Sequence, residues 1–480
     1  MVRSWGGRLS RRGALRTAAL AAGALAGGSA LAACAATGAG AAAARPASAG
    51  GVIDLSFQVQ WNAPWNSTAQ TLINQFVDQN FNARHKGVRA TVWPAGAGGS
   101  DGIIAASLAG APTPDIIADC CSAIPQYIDS GWLLPLESYL QQSNLSGGLW
   151  STGHLAALQV GGHQYGLPSY DGPVVMAYRQ DTLDQLGFPY PNPSWTYQEA
   201  TTLWEQCTGH QGGKPRAGVA ISWAPGIEYL LKGWGGDLMD AARTTCLLGQ
   251  TAGIAAGKWF YNLLHNHVAV YYNGPYGLSQ SQEVFSMCGG WDVFNMATQL
   301  GTKIKWDILP VPTWPNGFST FDNNDFYGMN RATKNPGVAW ELLRWMTAEP
   351  AWPRFEIKTT LTQPGLASLW SEWEQIIVAA APPLRGKAIH YFRDAALSGR
   401  AYPHYFFRYG GNRADGIISN GLNHIAAGNL SVTQGFQQIA QAVNAYETTS
   451  VHASSGGTKQ AMQKLFPSKG ADVAIVPPDL

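Results

Sequence analysis

Five consecutive apolar residues, Val174-Val175-Met176-Ala177-Tyr178, follow Asp171-Gly172-Pro173 with no spacer between them. An apolar run without polar alternation predicts a strand covered on both faces. Asp, Gly and Pro in succession predict a bend. The chain must therefore turn sharply as it enters a core strand, and few folds ask for that. Downstream, Asp181 is predicted to cap a short helix that Gly187 ends. After a proline-rich crossing, Thr196 and Glu199 form a capping box that opens another helix.

The chain before this segment alternates strand and helix. Strands are predicted over Val52–Gln60, Val88–Trp93 and Pro114–Ala118. Helices are predicted over Thr68–Asn80, with Leu72, Ile73, Phe76 and Val77 on one face, and over Asp101–Leu108. Such alternation implies an α/β fold with a mostly parallel sheet wrapped by helices. At 480 residues the chain exceeds one ordinary core, so two domains are expected. No internal repeat and no low-complexity stretch appear after residue 50.

The order of elements from Gly162 to Glu199 resembles the extracellular solute-binding proteins of ABC importers, the maltose-binding-like family 1. The family pattern runs Gly-x-x-Tyr-Gly-Leu-Pro, a small turn, an apolar strand ending in Tyr, Asp-x-Leu-x-x-x-Gly, and Pro-x-Thr-Trp-x-Glu. This chain departs from it only in carrying Trp195-Thr196 in the reverse order. Asp101–Ala118, Tyr127–Leu136 and Thr333–Leu343 resemble further family elements. In the last, Asn335-Pro336 provides a cap and an N1 proline, and Val338, Leu342, Trp345 and Met346 follow at helical spacing.

The resemblance spans roughly residues 51 to 450. It implies a two-lobe, type II periplasmic-binding-protein-like fold with a multi-crossing hinge. Residues 51–170 and 324–370 would form lobe 1, and 171–323 and 371–450 lobe 2. Crossings are expected at Tyr170–Pro173, at Asp322–Asp325 and near residue 370. The helix Thr433–Tyr446 should pack on lobe 2, while residues 451–480 stay unassigned.

Residues 1–33 hold five arginines and no acid, followed by an Ala/Gly/Leu run, and read as an export signal. Ser10-Arg11-Arg12 looks like a twin-arginine signal, leaving the export route open. Leu31-Ala32-Ala33-Cys34 resembles a lipobox, with Cys34 as the lipid anchor of an extracytoplasmic, membrane-anchored protein. The apolar run is too short and too weak to predict a membrane span. Residues 34–50, rich in Ala and Gly, read as a flexible tether. Loss of the five arginines takes the formal charge from +1 to −4, which leaves no basic footprint for nucleic acid.

Six cysteines include Cys34. Among the other five, Cys207–Cys246 or Cys246–Cys288 would lie within one lobe, and a disulfide can persist outside the cytoplasm. An odd number leaves a thiol unpaired.

A sugar offers apolar C–H faces and a rim of hydroxyls, which suit aromatic rings and Asp, Asn, Glu or Gln respectively. The chain has 19 Trp against 16 Phe. Core filling accounts for most of these, so candidates are taken only at strand ends and crossings. Trp61 and Asn62 follow the first strand, where the family commonly contacts ligand. Asp119 and Ser122 follow the third strand in a loop the family uses at the cleft rim, although Asp119 also suits a cap or a solvated turn. Tyr170 and Asp171 lie at the first crossing, where an aspartate equally suits a hinge turn. Trp223 closes a strand in the second lobe. Trp291 and Asp292 follow a double glycine where the family often stacks a sugar. Tyr405 and Phe406 fall where some members supply another aromatic wall.

His265 and His267, the Asp322–Asp325 run and the glycines at 96, 98 and 99 lack the spacing of a metal, EF-hand or phosphate site. No cofactor and no catalysis are expected. The resemblance implies a monomeric binding protein that closes on a sugar or sugar-like ligand and delivers it to a membrane permease. A secreted glycoside hydrolase would need two facing carboxyls, for which Asp171 and Asp292 are nominees. A carbohydrate-binding adhesin would not need two lobes.

Overall fold

The computed structural model describes residues 51–59, 67–93, 99–221, 227–241, 243–271, 277–278, 283–403 and 411–448. Two five-stranded sheets organise them. The first runs in the order Val88–Val92, Ile53–Phe57, Ile116–Cys120, Asp325–Met329, Leu167–Tyr170. The second runs Ala269–Tyr271, Val219–Ile221, Phe285–Gly289, Val174–Arg179, Trp306–Leu309.

In each sheet one strand opposes the rest. Asp325–Met329 is antiparallel to both neighbours in the first sheet, and Val174–Arg179 to both neighbours in the second. The cause is the route of the chain. These two strands enter directly from the other lobe, so they start where their neighbours end and run outward. Short helix-bearing returns bring every other strand back to the same starting edge. The carboxyl ends of the remaining strands therefore collect along one edge of each sheet, and the two edges meet at the crossings.

Each sheet is covered on both faces, as the apolar run predicts. Val174, Met176 and Tyr178 pack with Trp195, Trp204 and Phe285, while Val175 and Ala177 turn to Trp306, Trp370 and Trp373. In the first sheet Ile116, Ala118, Tyr327 and Met329 face one core, and Ile117 and Phe326 the other. Burying a side chain of this size contributes roughly 1.5–3 kcal/mol, so register along these strands is strongly fixed. Most tryptophans belong to these cores. Trp204, Trp306, Trp345, Trp352, Trp370 and Trp373 are fully buried, which is where the Trp surplus goes.

Local signals behave as their chemistry dictates, with some corrections. The capping box forms, with Glu199 N donating to Thr196 Oγ1 at 3.3 Å and Thr196 N to Glu199 Oε2 at 2.7 Å. Gly187 ends the helix Gln180–Leu186 in the left-handed region at φ 75°. Asp181 is not its cap. Arg179 holds that position, and Asp181 pairs with Arg179 from the first turn. Asn335 precedes the helix Pro336–Thr347, but its side chain makes no capping bond. Leu72 is exposed, leaving Ile73 and Val77 as the buried face of the helix Ser67–Asn80. The five described cysteines are buried and none forms a disulfide, so neither proposed pair is made.

The helix Val432–Thr448 packs in the second sheet's core through Phe436, Ile439 and Val443. Core membership changes along and after the helix Ala351–Thr360: Trp352 packs in the first sheet's core, whereas Ile357, Leu366 and Trp370 pack beside the second sheet.

One buried acid sits inside the first lobe. Glu356 accepts from Tyr327 Oη at 2.5 Å, and Tyr327 Oη accepts from Trp352 Nε1 at 3.3 Å. Burial pushes the Glu356 carboxyl up to about 8 despite the hydrogen bond from Tyr327. The folded protein thus keeps a proton that the unfolded chain releases above about 4.5. This stabilisation is complete below 4.5 and is lost as pH rises through 8. Glu356→Gln, which mimics the neutral acid, is expected to raise Tm at pH 9 by about 2–4 °C, equivalent to ~1 kcal/mol, and to leave Tm at pH 4 unchanged. An equal shift at both pH values would remove the proton-linked explanation.

Candidate functional site

The site is built where the three passages lie side by side. Gly172 N donates to Asp322 Oδ1 at 2.8 Å, and Asn323 N donates to Gly172 O at 2.9 Å, so the first and second passages are stitched together. Gly365 N donates to Ser169 O at 3.1 Å, which lays the third passage along the end of Leu167–Tyr170. Glycine is required at both contacts. A Cβ on Gly172 would come within 2.3 Å of Asn323 O and 2.5 Å of Tyr170 Oη, and one on Gly365 within 2.8 Å of the Pro168 backbone.

Beneath this seam lies a sealed polar array. Asp171, entirely buried, takes hydrogen bonds on Oδ1 from His154 Nδ1 and from Ser151 Oγ, the latter at 3.3 Å. His154 Nε2 lies 3.5 Å from Cys121 Sγ. Burial and the neighbouring aspartates, Asp325 first, push the Cys121 thiol well up, so it stays protonated and unreactive. The helix Thr152–Ala157 sets His154 in place. Its Ser151 N-cap makes no capping bond, its hydroxyl being on Asp171 instead.

Tyr170 ends its strand with a buried hydroxyl. Burial, followed by the charges of Asp325, Asp322, Asp292 and Asp171, raises that phenol well above its ordinary value. Its neighbourhood therefore holds acids from both lobes and from two passages. Burial, with Asp171 next, also pushes the Asp322 carboxyl up, against the bonds from Gly172 and Asn324.

Several groups here have no hydrogen-bond partner among the described residues. They are Tyr170 Oη, Asp171 Oδ2, Asn324 Oδ1 and both ends of the Gln363 carboxamide. Buried polar groups are nearly always satisfied, so these groups make the seam the candidate site.

Tyr170 and Asp171 thus lie at the first passage, as expected. Trp291 is half-buried, with its indole laid back against Gly289, where a Cβ would come within 2.4 Å of the ring. Asp292 precedes the helix Val293–Leu300 at the carboxyl edge of the second sheet, without a side-chain cap bond. Asp119 lies inside the strand Ile116–Cys120, not in the loop after it, because the strand continues two residues beyond Ala118. Its Oδ2 accepts from Tyr127 Oη at 2.9 Å, and its Oδ1 accepts from Cys120 N at 2.8 Å. Ser122 sits in the single turn Cys121–Ala123 that follows. Trp61, Asn62, Trp223, Tyr405, Phe406 and Cys34 lie outside the described residues.

Sequence reasoning did not find Gln363, His154 or Asn324. Asn324 does fall within the Asp322–Asp325 run expected to be the second crossing.

Two α/β lobes meeting edge to edge at three chain passages, with unsatisfied polar groups at the seam, define a two-lobed binding protein of the type II periplasmic class. The family model for bacterial extracellular solute-binding proteins matches residues 64–351. The chain belongs to that family of extracytoplasmic solute-binding proteins.

Solved structures share the fold. A sugar transporter from Rhizobium etli in an open conformation superposes with a TM-score of 0.66 at 16% identity, covering 82% of this chain and 100% of that one. The sugar-binding protein MalE from Xanthomonas citri gives 0.65 at 16%, covering 82% and 97%. The cyclic alpha-maltosyl-1,6-maltose binding protein from Arthrobacter globiformis gives 0.64 at 16%, covering 83% and 99%.

Proposed function

We propose that this protein is the substrate-binding component of an ABC importer. It captures a sugar or oligosaccharide between its lobes and presents the closed form to a membrane permease. The observation that carries this reading is the seam of buried, unpartnered hydroxyl, carboxylate and amide groups at the meeting of the two sheet edges. Those groups suit a ligand rich in hydroxyls. The sugar-handling proteins that share the fold favour the same ligand class.

Closure would trade bulk water for these preset partners, and each mismatched hydroxyl would cost roughly 1–3 kcal/mol. A ligand can drive closure only by its differential affinity for the closed form. Tyr170, Asp171, Trp291 and Asp292 supply the described part of the site in this reading. Trp61, Asn62, Asp119, Ser122, Trp223, Tyr405 and Phe406 are the further ligand-binding candidates in this reading. The lobes divide at Tyr170–Asp171, Asn323–Asn324 and near residue 370. Cys34 anchors a monomeric mature protein to the membrane through the 34–50 tether.

The test is a thermal-shift titration of the mature protein with maltose, maltotriose, mannotriose and cyclic maltosyl-maltose, followed by chromatography of each sugar after incubation. A saturable rise in Tm with every sugar recovered intact is the expected result. Cleaved sugar would instead establish a hydrolase, and no shift with any hydroxylated ligand would remove the sugar reading.

A further inference from the structure

Gln363 is the most unusual side chain at the seam. It lies on the third passage, only 1% exposed, and neither its amide nitrogen nor its carbonyl oxygen has a partner among the described residues. A carboxamide brings two donors and an acceptor, and nearly all buried groups of this kind are bonded.

Its seat is specific. A Cβ on Gly290 would fall 1.0 Å from Gln363 Nε2, so the amide occupies the volume that any side chain at 290 would need. Gly290 precedes Trp291 and Asp292, the second lobe's contribution at this edge. Gln363 therefore reaches from a passage onto the second lobe's carboxyl edge, where burial restricts its orientation. The second unpartnered group, Tyr170 Oη, is held on the first passage, and Gly365 N to Ser169 O ties the two passages together.

We propose that Gln363 is a specificity-determining contact at the floor of the ligand site. Its carboxamide takes two adjacent hydroxyls of one sugar ring, donating from Nε2 to one and accepting at Oε1 from the other. A planar donor–acceptor pair matches a vicinal diol and discriminates against deoxy sugars, which would leave one end of the amide unmet. The inference rests on the sugar-binding reading and adds which groups on the ring are read.

Gln363→Leu keeps the volume and removes both polar ends. With the best-binding sugar of the panel above, affinity is expected to fall roughly 10- to 100-fold, the loss of two hydrogen bonds. The unliganded Tm is expected to stay level or rise, because an unmet buried amide gives way to an apolar side chain. Gly290→Ala, which displaces the amide while leaving Gln363 in the sequence, should weaken the same sugar comparably. Wild-type affinity in Gln363→Leu overturns the proposal. So does a lower unliganded Tm in that variant, since it marks an amide serving the fold. Absence of sugar binding by the wild-type protein overturns instead the reading on which the proposal rests, and the unliganded Tm then still reports whether the amide is structural.

Discussion

Replacing His154 with leucine is expected to lower the unfolding free energy by about 1–3 kcal/mol, the usual cost of leaving a buried polar group without its hydrogen-bond partner. His154 and Asp171 are both fully inaccessible, and the imidazole Nδ1 is the closer of the two protein donors on Asp171 Oδ1. Without it, Asp171 keeps only the 3.3 Å bond from Ser151. Urea denaturation of His154→Leu against wild type gives the number directly. The double variant His154→Leu/Asp171→Asn should recover a large part of the loss, because the uncompensated carboxylate is then gone. A single-variant loss below about 1 kcal/mol, or no recovery in the double variant, would show that the pair is not what holds this seam.

In the proposed sugar-binding reading, the pair would also support Asp171. With Oδ1 engaged from below by His154 and Ser151, its orientation is fixed, and Oδ2 is left without a protein partner. A hinge residue that must present a carboxylate to a ligand needs such support, because a freely rotating side chain would lose rotamer entropy on binding.

Much of this was legible in the sequence, and the part that was not has a common cause. The both-faces-buried strand at Val174–Arg179, the capping box at Thr196–Glu199 and the Gly187 terminator are decided by neighbours within a few residues, so local pattern finds them. The bend at Asp171-Gly172-Pro173 was visible for the same reason, though not that glycine is needed there to pass Asn323 O. Asp181 was misplaced as a cap because Arg179 engages it, a competition that composition does not rank. Asp119 was placed in a loop because Pro114 and Asp115 suggested an earlier strand, whereas pairing with Asp325–Met329 extends the ladder to Cys120. His154 and Gln363 left no local trace. Each acquires its meaning from a residue brought in by the fold, Asp171 for the first and Gly290 for the second.

Trp291→Ala is expected to weaken sugar binding by about 10- to 70-fold while costing little stability. A pyranose face covering the indole would bury roughly 50–100 Å² of apolar surface, worth roughly 1.3–2.5 kcal/mol at about 25 cal/mol per Å², and that converts to the quoted range. The ring is half-buried and packs against Gly289 at the carboxyl edge of the second sheet. Trp291→Phe retains a flat apolar face and should keep most of the affinity. Trp204 provides the contrast. It is fully buried beneath the same sheet and packs edge-on against Trp195 at 5.9 Å, so Trp204→Ala should lower Tm sharply, at roughly 3–5 kcal/mol, and leave the affinity of the surviving folded protein near wild type. Calorimetric titration of the two variants with the same sugar separates a stacking surface from a core filler. Wild-type affinity in Trp291→Ala would move the aromatic wall of the site elsewhere, whereas equal losses of stability in both variants would make Trp291 one more core tryptophan.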